Sequence, residues 1–266
     1  AFAWQDVPRW WFDNDPFKTR FFDAMSLLFP EGEKFFIACV RDYRDDITDP
    51  QLRAQVKDFM YQEGQHGMVH TAFNDHLKSQ GIAVDHILER QKQIMFGFFR
   101  KYLPKTFTLG QTAAAEHMTA LMAHGFFANG MFAHADPRVR AMYAWHAVEE
   151  IEHKGVAYDT WLHATRDWSR WKRWKVKSLM MWVAGRNFVL GRIGDAADLM
   201  EQGGLTGWKW KARLASYLLV YPGVLRTILP SAVLFFLPGF HPWNRDDRAL
   251  IKLYDSEFID AVMAKA

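Results

Sequence analysis

The chain has 266 residues, which is long enough for one large domain or for a bundle with an appended subdomain. Its formal net charge of +3 is small and no zinc-finger or aromatic–basic RNA motif is present, so we expect no nucleic-acid partner. The single cysteine, Cys39, excludes an intrachain disulfide framework and any cysteine-based zinc or iron–sulfur site.

The first 30 residues are rich in aromatic side chains and contain Pro8, Pro16 and Pro30 as helix breakers. They predict an irregular aromatic N-terminal arm over 1–30. No cationic segment followed by a clean apolar run occurs there, so we expect no signal peptide and a cytoplasmic location. A first helix is predicted over 31–47, with Cys39 and Val40 among its inward-facing residues.

Caps and breakers set the bounds of the next helices. Asp49 followed by Pro50 is typical of an N-cap and first helical position, and predicts a helix to about 78 that ends before Gly81. A further helix is predicted over 85–102, where Pro104 stops it.

The next two predicted helices are long. Thr108 and Gln111 have the spacing of a capping box, which predicts a helix from 108 to about 134. Asp136 and Pro137 repeat the cap-plus-proline start and predict a helix to about 165. Nothing in the chain alternates with period two, so we expect an all-α fold without a sheet.

Two copies of Glu-x-x-His indicate a metal site. Bundles of the di-iron type use a glutamate from each of two helices and Glu-x-x-His from each of the other two. Spacing of i, i+3 puts both side chains of the motif on one helix face. The predicted set of ligands is Glu33, Glu63, His66, Glu116, Glu150 and His153.

Helix geometry supports this set. Glu33 lies about 15 residues before the turn near residue 48, and Glu63 and His66 lie about 15 and 18 residues after it. At roughly 1.5 Å per residue, all three are about 23–27 Å from the turn and meet in an antiparallel hairpin. The same calculation about a turn near 135 brings Glu116 level with Glu150 and His153. The chain therefore predicts a ferritin-like four-helix bundle over 31–166.

Several neighbours of these residues are alternatives. His146 shares the stripe of Glu150 and His153, so we predict it as a seventh ligand, against a role as a core or supporting histidine. His70 shares the stripe of His66 and is predicted to support the ligands by hydrogen bonding. Glu149 competes with Glu150 and Glu31 with Glu33. His117 is predicted to point away.

The part after 166 differs in character and is predicted as a helical extension, 167–266, that packs on the bundle or on a membrane surface. Trp168, Trp171 and Trp174 alternate with arginine and lysine, a pattern typical of interfacial helices. The apolar run 214–243 carries Arg226 and four prolines, so we do not predict a regular transmembrane helix. The alternative is that these residues pack against the bundle.

Four motifs resemble a bacterial family labelled "predicted metal-dependent hydrolase". They are Phe29-Pro30-Glu31-Gly32-Glu33-Lys34-Phe35-Phe36, Gln62-Glu63-x-x-His66-x-x-x-His70, Trp145-His146-x-x-Glu149-Glu150-x-Glu152-His153-Lys154 and Phe240-His241-Pro242-Trp243. The ligand pattern is also similar to that of the di-iron aryl-amine N-oxygenases, which have four glutamates and three histidines. That resemblance implies the seven ligands Glu33, Glu63, His66, Glu116, His146, Glu150 and His153.

Mixed oxygen and imidazole ligands suit iron, manganese or zinc. We expect two iron ions, with manganese or zinc as alternatives, in an O₂-dependent oxidase or oxygenase. Its partners would be a hydrophobic lipid-like or aromatic substrate, O₂ and an electron donor that the sequence does not identify. The alternatives are a dimetal hydrolase of an ester or phosphoester and a non-catalytic metal-binding protein. Peripheral contact with the inner membrane and a homodimer remain open.

Overall fold

The structure is a computed structural model that describes residues 2–127, 130–247, 249 and 251–252. Within these ranges the chain is helical and contains no β-strand, although an isolated antiparallel bridge joins Phe12 to Ala135. The prediction of an all-α fold is therefore confirmed.

Eleven α-helical segments are described, and α4 continues through a π-helical stretch, Gln93–Phe99, into α5. Their bounds are α1 Pro16–Ser26, α2 Phe29–Arg41, α3 Pro50–Ser79, α4 Asp85–Lys92, α5 Arg100–Tyr102, α6 Lys105–Phe127, α7 Pro137–His153, α8 Val156–Ala164, α9 Arg170–Gln202, α10 Trp208–Leu219 and α11 Val224–Leu234.

Three helices begin with the same local device, an aspartate followed by proline. The side chains of Asp15, Asp49 and Asp136 each accept a hydrogen bond from a backbone N–H of the first turn, and the proline stands where no N–H is needed. The predicted starts at Asp49 and Asp136 are correct. The prediction that 1–30 is irregular is wrong, because Asp15 starts helix α1, whose Phe17 and Phe22 are fully buried.

Two predicted bounds differ because local signals compete with packing. The helix predicted over 31–47 is α2, which runs from Phe29 to Arg41 and is followed by a 3₁₀ turn at Arg44–Asp46. Thr108 is not a cap. It lies inside α6, where its hydroxyl donates to the carbonyl oxygen of Lys105, and the helix begins directly after Pro104.

The helix predicted over 136–165 is divided into α7 and α8 by a bend at Lys154 and Gly155. A Cβ atom at Gly155 would collide with the indole of Trp243, so only glycine allows this close approach. The requirement for glycine at this bend therefore comes from a residue far along the chain.

The four helices predicted to carry ligands pack together. Helix α2 packs against α3, α6 packs against α7, and α2 contacts α6 while α3 contacts α7. Helix α9 lies along α1 and α6, and α11 also packs on α6. No single described helix is long and apolar enough to cross a membrane. A bent pair, Trp208–Arg226 with Ile228–Leu234, has the length and composition of one broken span.

Candidate metal centre

The seven predicted ligands lie in the interior between α2, α3, α6 and α7. Each of them is at most 3% exposed. They form three interlocking groups in which the ligand atoms lie within 4.8 Å of one another. These groups are Glu33, His66 and His146; Glu63, His66 and His153; and Glu116, Glu150 and His153.

The first hairpin brings its residues together at the height predicted from the sequence. The Nδ1 atom of His66 lies 4.0 Å from Glu33 Oε1 and 3.9 Å from Glu63 Oε1. The Nε2 atom of His146 lies 3.7 Å from the same Glu33 oxygen, so a residue of α7 reaches the first hairpin. These separations leave room for an ion between the atoms rather than for direct hydrogen bonds.

The second hairpin joins the first through His153. Its Nδ1 atom lies 3.2 Å from Glu116 Oε2, and its Nε2 atom lies 3.0 Å from Glu63 Oε1. Glu150 Oε1 lies 2.8 Å from His146 Nε2. Both Glu-x-x-His motifs therefore face one shared volume rather than two separate sites.

Most of these buried polar atoms have no hydrogen-bond partner. Both carboxylate oxygens of Glu33, Glu63 and Glu116 and both ring nitrogens of His66 and His153 are in this state, because their contacts with neighbouring groups, at 2.7–4.0 Å, lack hydrogen-bond geometry. A buried polar atom without a partner costs on the order of 1–3 kcal/mol, and more when it is charged. Four carboxylates that converge in this way need cations, and two divalent ions would balance their charge.

The pKa values of these groups reflect the crowding of charge. Burial and the carboxylates of Glu63, Glu150 and Glu116 raise the pKa of Glu33 well above its ordinary value. Burial also raises the pKa of Glu116 well above its ordinary value, and Glu150 and Glu63 add to the shift. Carboxylates that resist ionisation in the absence of a cation are typical of a metal site.

The pKa values of two histidines are also raised, but here the nearby carboxylates favour the charged form. Burial lowers the pKa of His66, but contacts with Glu149 and Glu63 outweigh it and raise the pKa to about 9. For His153, the same balance against burial by Glu63 and Glu116 raises the pKa well above its ordinary value. The cluster thus holds protons that arriving metal ions would displace.

A chain of hydrogen bonds sets the orientation of His146. Ser26 donates to Asn74 Oδ1 over 2.9 Å, so its oxygen is free to accept from His70 Nδ1 at 2.8 Å. His70 Nε2 then accepts from His146 Nδ1, also at 2.8 Å. With its proton on Nδ1, His146 presents the lone pair of Nε2 to Glu33 and Glu150. This arrangement suits His146 as a ligand and His70 as its support.

Glu149 contacts a proposed ligand in a way that the Glu-x-x-His spacing did not predict. Its Oε2 atom lies 2.7 Å from His66 Nε2, on the side of the ring away from Glu33 and Glu63. A carboxylate on the outer nitrogen of a metal-binding histidine fixes the ring and increases its basicity. Glu149 is therefore placed to support His66 rather than to replace Glu150.

Two further residues of the site carried no signal in the sequence. Thr119, one turn after Glu116, donates to Glu150 Oε2 over 2.6 Å. Gly67 lies where α3 passes α2, and a Cβ atom there would be 3.2 Å from Glu33 Oε2. Glycine at this position leaves space for the glutamate.

The remaining alternatives lie elsewhere. Glu31 pairs with Lys34 over 2.7 Å rather than joining the cluster. His117 points away, as predicted, and its ring packs against Phe235 and Phe240 at centroid distances of 5.3 and 5.0 Å. The neighbour of Glu116 is therefore part of the contact with the C-terminal segment.

A sequence model of the family described as "predicted metal-dependent hydrolase" matches residues 1–246. The match includes all four helices of the candidate centre and most of the C-terminal segment. No curated protein and no solved structure matches the chain.

Proposed function

The chain belongs to the predicted metal-dependent hydrolase family, and on that premise we propose that it is an enzyme with a dinuclear metal centre. The proposed ligands are Glu33, Glu63, His66, Glu116, His146, Glu150 and His153. One ion would lie among the first-hairpin residues and His146, and the other among Glu116, Glu150 and His153. Glu63 is close enough to both histidine motifs to bridge them.

The observation that carries this proposal is the set of buried donor atoms without partners. Elsewhere in a protein interior, such atoms are almost always hydrogen-bonded. Here they belong to three carboxylates and two imidazoles within one small volume. Glutamate and histidine donors suit iron, manganese and zinc.

Hydrolysis is the first candidate reaction, because the family description supports it. Two metal ions in such a site would polarise a substrate oxygen and lower the pKa of water to near neutrality. The chain's own residues would hold the geometry. Glu149 and His70 keep His66 and His146 oriented, and Thr119 fixes one oxygen of Glu150. The apolar surroundings would keep bulk water out of the site.

Oxidation with O₂ is the second candidate, and the ligand set favours it. Four glutamates with two Glu-x-x-His motifs on four helices are the arrangement of the di-iron carboxylate proteins. This reaction would need iron, O₂ and a separate electron donor. Glu33 and Glu63, whose oxygens are free of hydrogen bonds, could change their binding mode as the charge of the centre changes.

One preparation separates the two candidates. The protein is loaded anaerobically with Fe²⁺, or separately with Zn²⁺ or Mn²⁺, and each form is assayed on p-nitrophenyl esters and bis-p-nitrophenyl phosphate. Turnover by the zinc or manganese form without oxygen supports hydrolysis. A near-ultraviolet to visible absorption band that develops in the iron form on exposure to air, and is bleached by reductant, supports oxidation. If the protein retains none of the three metals after desalting, the proposal of a metal centre is wrong.

A further inference from the structure

A second cavity, separate from the metal cluster, lies between α2, the π-helical stretch, α6 and α9. Its volume is about 550 Å³, within the range of small-molecule sites. None of the seven proposed ligands lines it. Most of its wall is apolar and includes Phe35, Phe36, Ile94, Phe99, Phe188 and Leu190.

One wall of this cavity is polar and has an excess of positive charge. Arg90, Arg186 and Arg192 line it together with a single carboxylate, Asp195. Arg90 and Arg192 both pair with Asp195, the latter at 2.5 Å, so one carboxylate neutralises only part of the wall. The remaining charge favours an anionic group of a ligand.

Two of these arginines have capacity for a ligand. The Nε atom of Arg192 is buried and has no acceptor among the described residues, although Nη1 donates to the carbonyl oxygen of Ala24. Arg186 is exposed at the cavity wall. A buried donor without an acceptor and an exposed cation, together with aromatic side chains in the cavity wall, fit an amphipathic anion.

Two smaller voids lie between this cavity and the candidate metal cluster, as their shared lining residues indicate. Phe188 and Arg192 also line a void of about 40 Å³. Met25, Met122 and Phe126 line that void and also a third one of about 30 Å³. His146 and Glu150, two of the proposed ligands, are part of the third wall. The three spaces thus share walls in sequence from the protein surface to the cluster.

The two inner voids are much smaller than the outer cavity. Methionine side chains are unbranched and adapt their shape, so Met25 and Met122 can move aside for an alkyl chain more easily than for a ring.

We propose that this series of cavities binds an amphipathic carboxylate of fatty-acid type, with its carboxylate at Arg186 and Arg192 and its chain directed towards Glu150 and His146. The proposal rests on the proposed function in so far as the bound chain is a substrate. Binding itself requires only the cavities, and it can be measured whatever the metal content.

The test is calorimetric titration of the purified full-length protein, its metal content measured separately, with sodium dodecanoate below its micellar concentration. The expected result is one molecule bound per chain. Dodecyltrimethylammonium, which has the same chain and opposite charge, should bind at least about tenfold more weakly. Equal affinity for the two probes, or no binding of dodecanoate, would overturn the proposal.

Two variants test where the carboxylate and the alkyl chain of dodecanoate bind. Arg186→Gln should weaken dodecanoate binding by about tenfold, whereas Arg170→Gln, an exposed arginine of the same helix outside the cavity, should not. Met122→Phe should reduce the affinity for dodecanoate more than that for hexanoate, because only the longer chain reaches the inner voids. If Arg186→Gln binds like the wild type, or if Met122→Phe affects both chain lengths equally, the assigned path is wrong. If the protein retains no metal and still binds dodecanoate, only the proposed function fails.

Discussion

The helices of the candidate metal centre and the C-terminal helices both bury polar and charged groups, but in different ways. In the centre, both oxygens of Glu33 and of Glu63 lie without hydrogen-bond partners. In the C-terminal part, the unpartnered atoms are single donors such as Arg192 Nε and Trp210 Nε1, and Lys177 donates to the carbonyl oxygen of Leu237 over 2.8 Å. Burial of charge alone therefore does not mark a ligand site. A ligand site is indicated instead by several polar atoms that converge on one volume and have no hydrogen-bond partner within the protein.

The comparison also changes the interpretation of the tryptophan-rich segment. Trp161 is 1% exposed, and its indole donates to the carbonyl oxygen of Thr106, so it belongs to the core. The indole of Trp174 also makes an internal contact, since it donates to the carbonyl oxygen of Phe236 over 2.7 Å. Trp171 and Trp182 are 60% and 59% exposed and remain available to an outside surface. The predicted membrane contact therefore depends on fewer residues than the sequence pattern indicated.

The largest effect is expected from removing a ligand. Replacing Glu63 or Glu150 by alanine should abolish binding of at least one of the two ions. Each substitution removes a carboxylate ligand from a buried site that offers no substitute. Metal analysis of desalted protein measures this directly. Glu152→Ala is the matched control, since this residue lies on α7 between two proposed ligands but is exposed. Two ions retained in both ligand variants would show that these carboxylates do not hold metal.

A smaller effect is expected from crowding the centre. Gly67→Ala would place a Cβ atom 3.2 Å from Glu33 Oε2 and should lower metal affinity by about tenfold, the low end of supporting-residue effects. Gly64→Ala on the same helix meets nothing within 4 Å. It should leave metal affinity unchanged and stabilise α3 by up to about 1 kcal/mol. Metal titration and thermal unfolding of both variants separate the two effects, and equal metal affinity would contradict the assigned role of Gly67.

Much of this centre could be predicted from the sequence. The spacing within each Glu-x-x-His motif and the equal heights of Glu33 and Glu63 depend only on helix geometry, which is local and regular. Gly67 and Thr119 could not be found in this way, because their roles depend on the distance between neighbouring helices. The fold follows the same division: the bounds of α3 followed from its cap and its terminal glycine, whereas the need for glycine at position 155 arises from the distant Trp243.

The C-terminal part should give a moderate pH effect that does not involve metal. Burial lowers the pKa of Lys177 to about 8, from an ordinary value of 10.5. A lysine with a lowered pKa in the folded state contributes stability above its unfolded pKa, and this contribution is lost as pH falls through about 8. The free energy of unfolding of the wild type relative to Lys177→Met should therefore rise by about 1–2 kcal/mol between pH 7.5 and 9.5. Urea unfolding at both pH values measures it, and a pH-independent difference would contradict the burial of this charge.

The smallest expected effect concerns the outer face of α9. Wild-type protein should float partly with anionic liposomes at low salt, because Trp171 and Trp182 are exposed beside lysine and arginine. Trp171→Ala combined with Trp182→Ala should reduce the floated fraction without unfolding the protein. Trp174→Ala is unsuitable as a test because its indole hydrogen bond is internal. Wild-type protein that stays wholly in the soluble fraction would end the proposal of membrane contact.

The most direct measurement is a crystal structure of the metal-loaded protein with anomalous scattering data collected at the absorption edge of the metal. The account predicts two anomalous peaks about 3.5–4 Å apart, enclosed by the carboxylates of α2, α3, α6 and α7. It also predicts His146 Nε2 about 2.0–2.3 Å from one of them. A single peak, peaks outside this cluster, or His146 more than about 3.5 Å from either ion would contradict it, the last by returning this histidine to a supporting role.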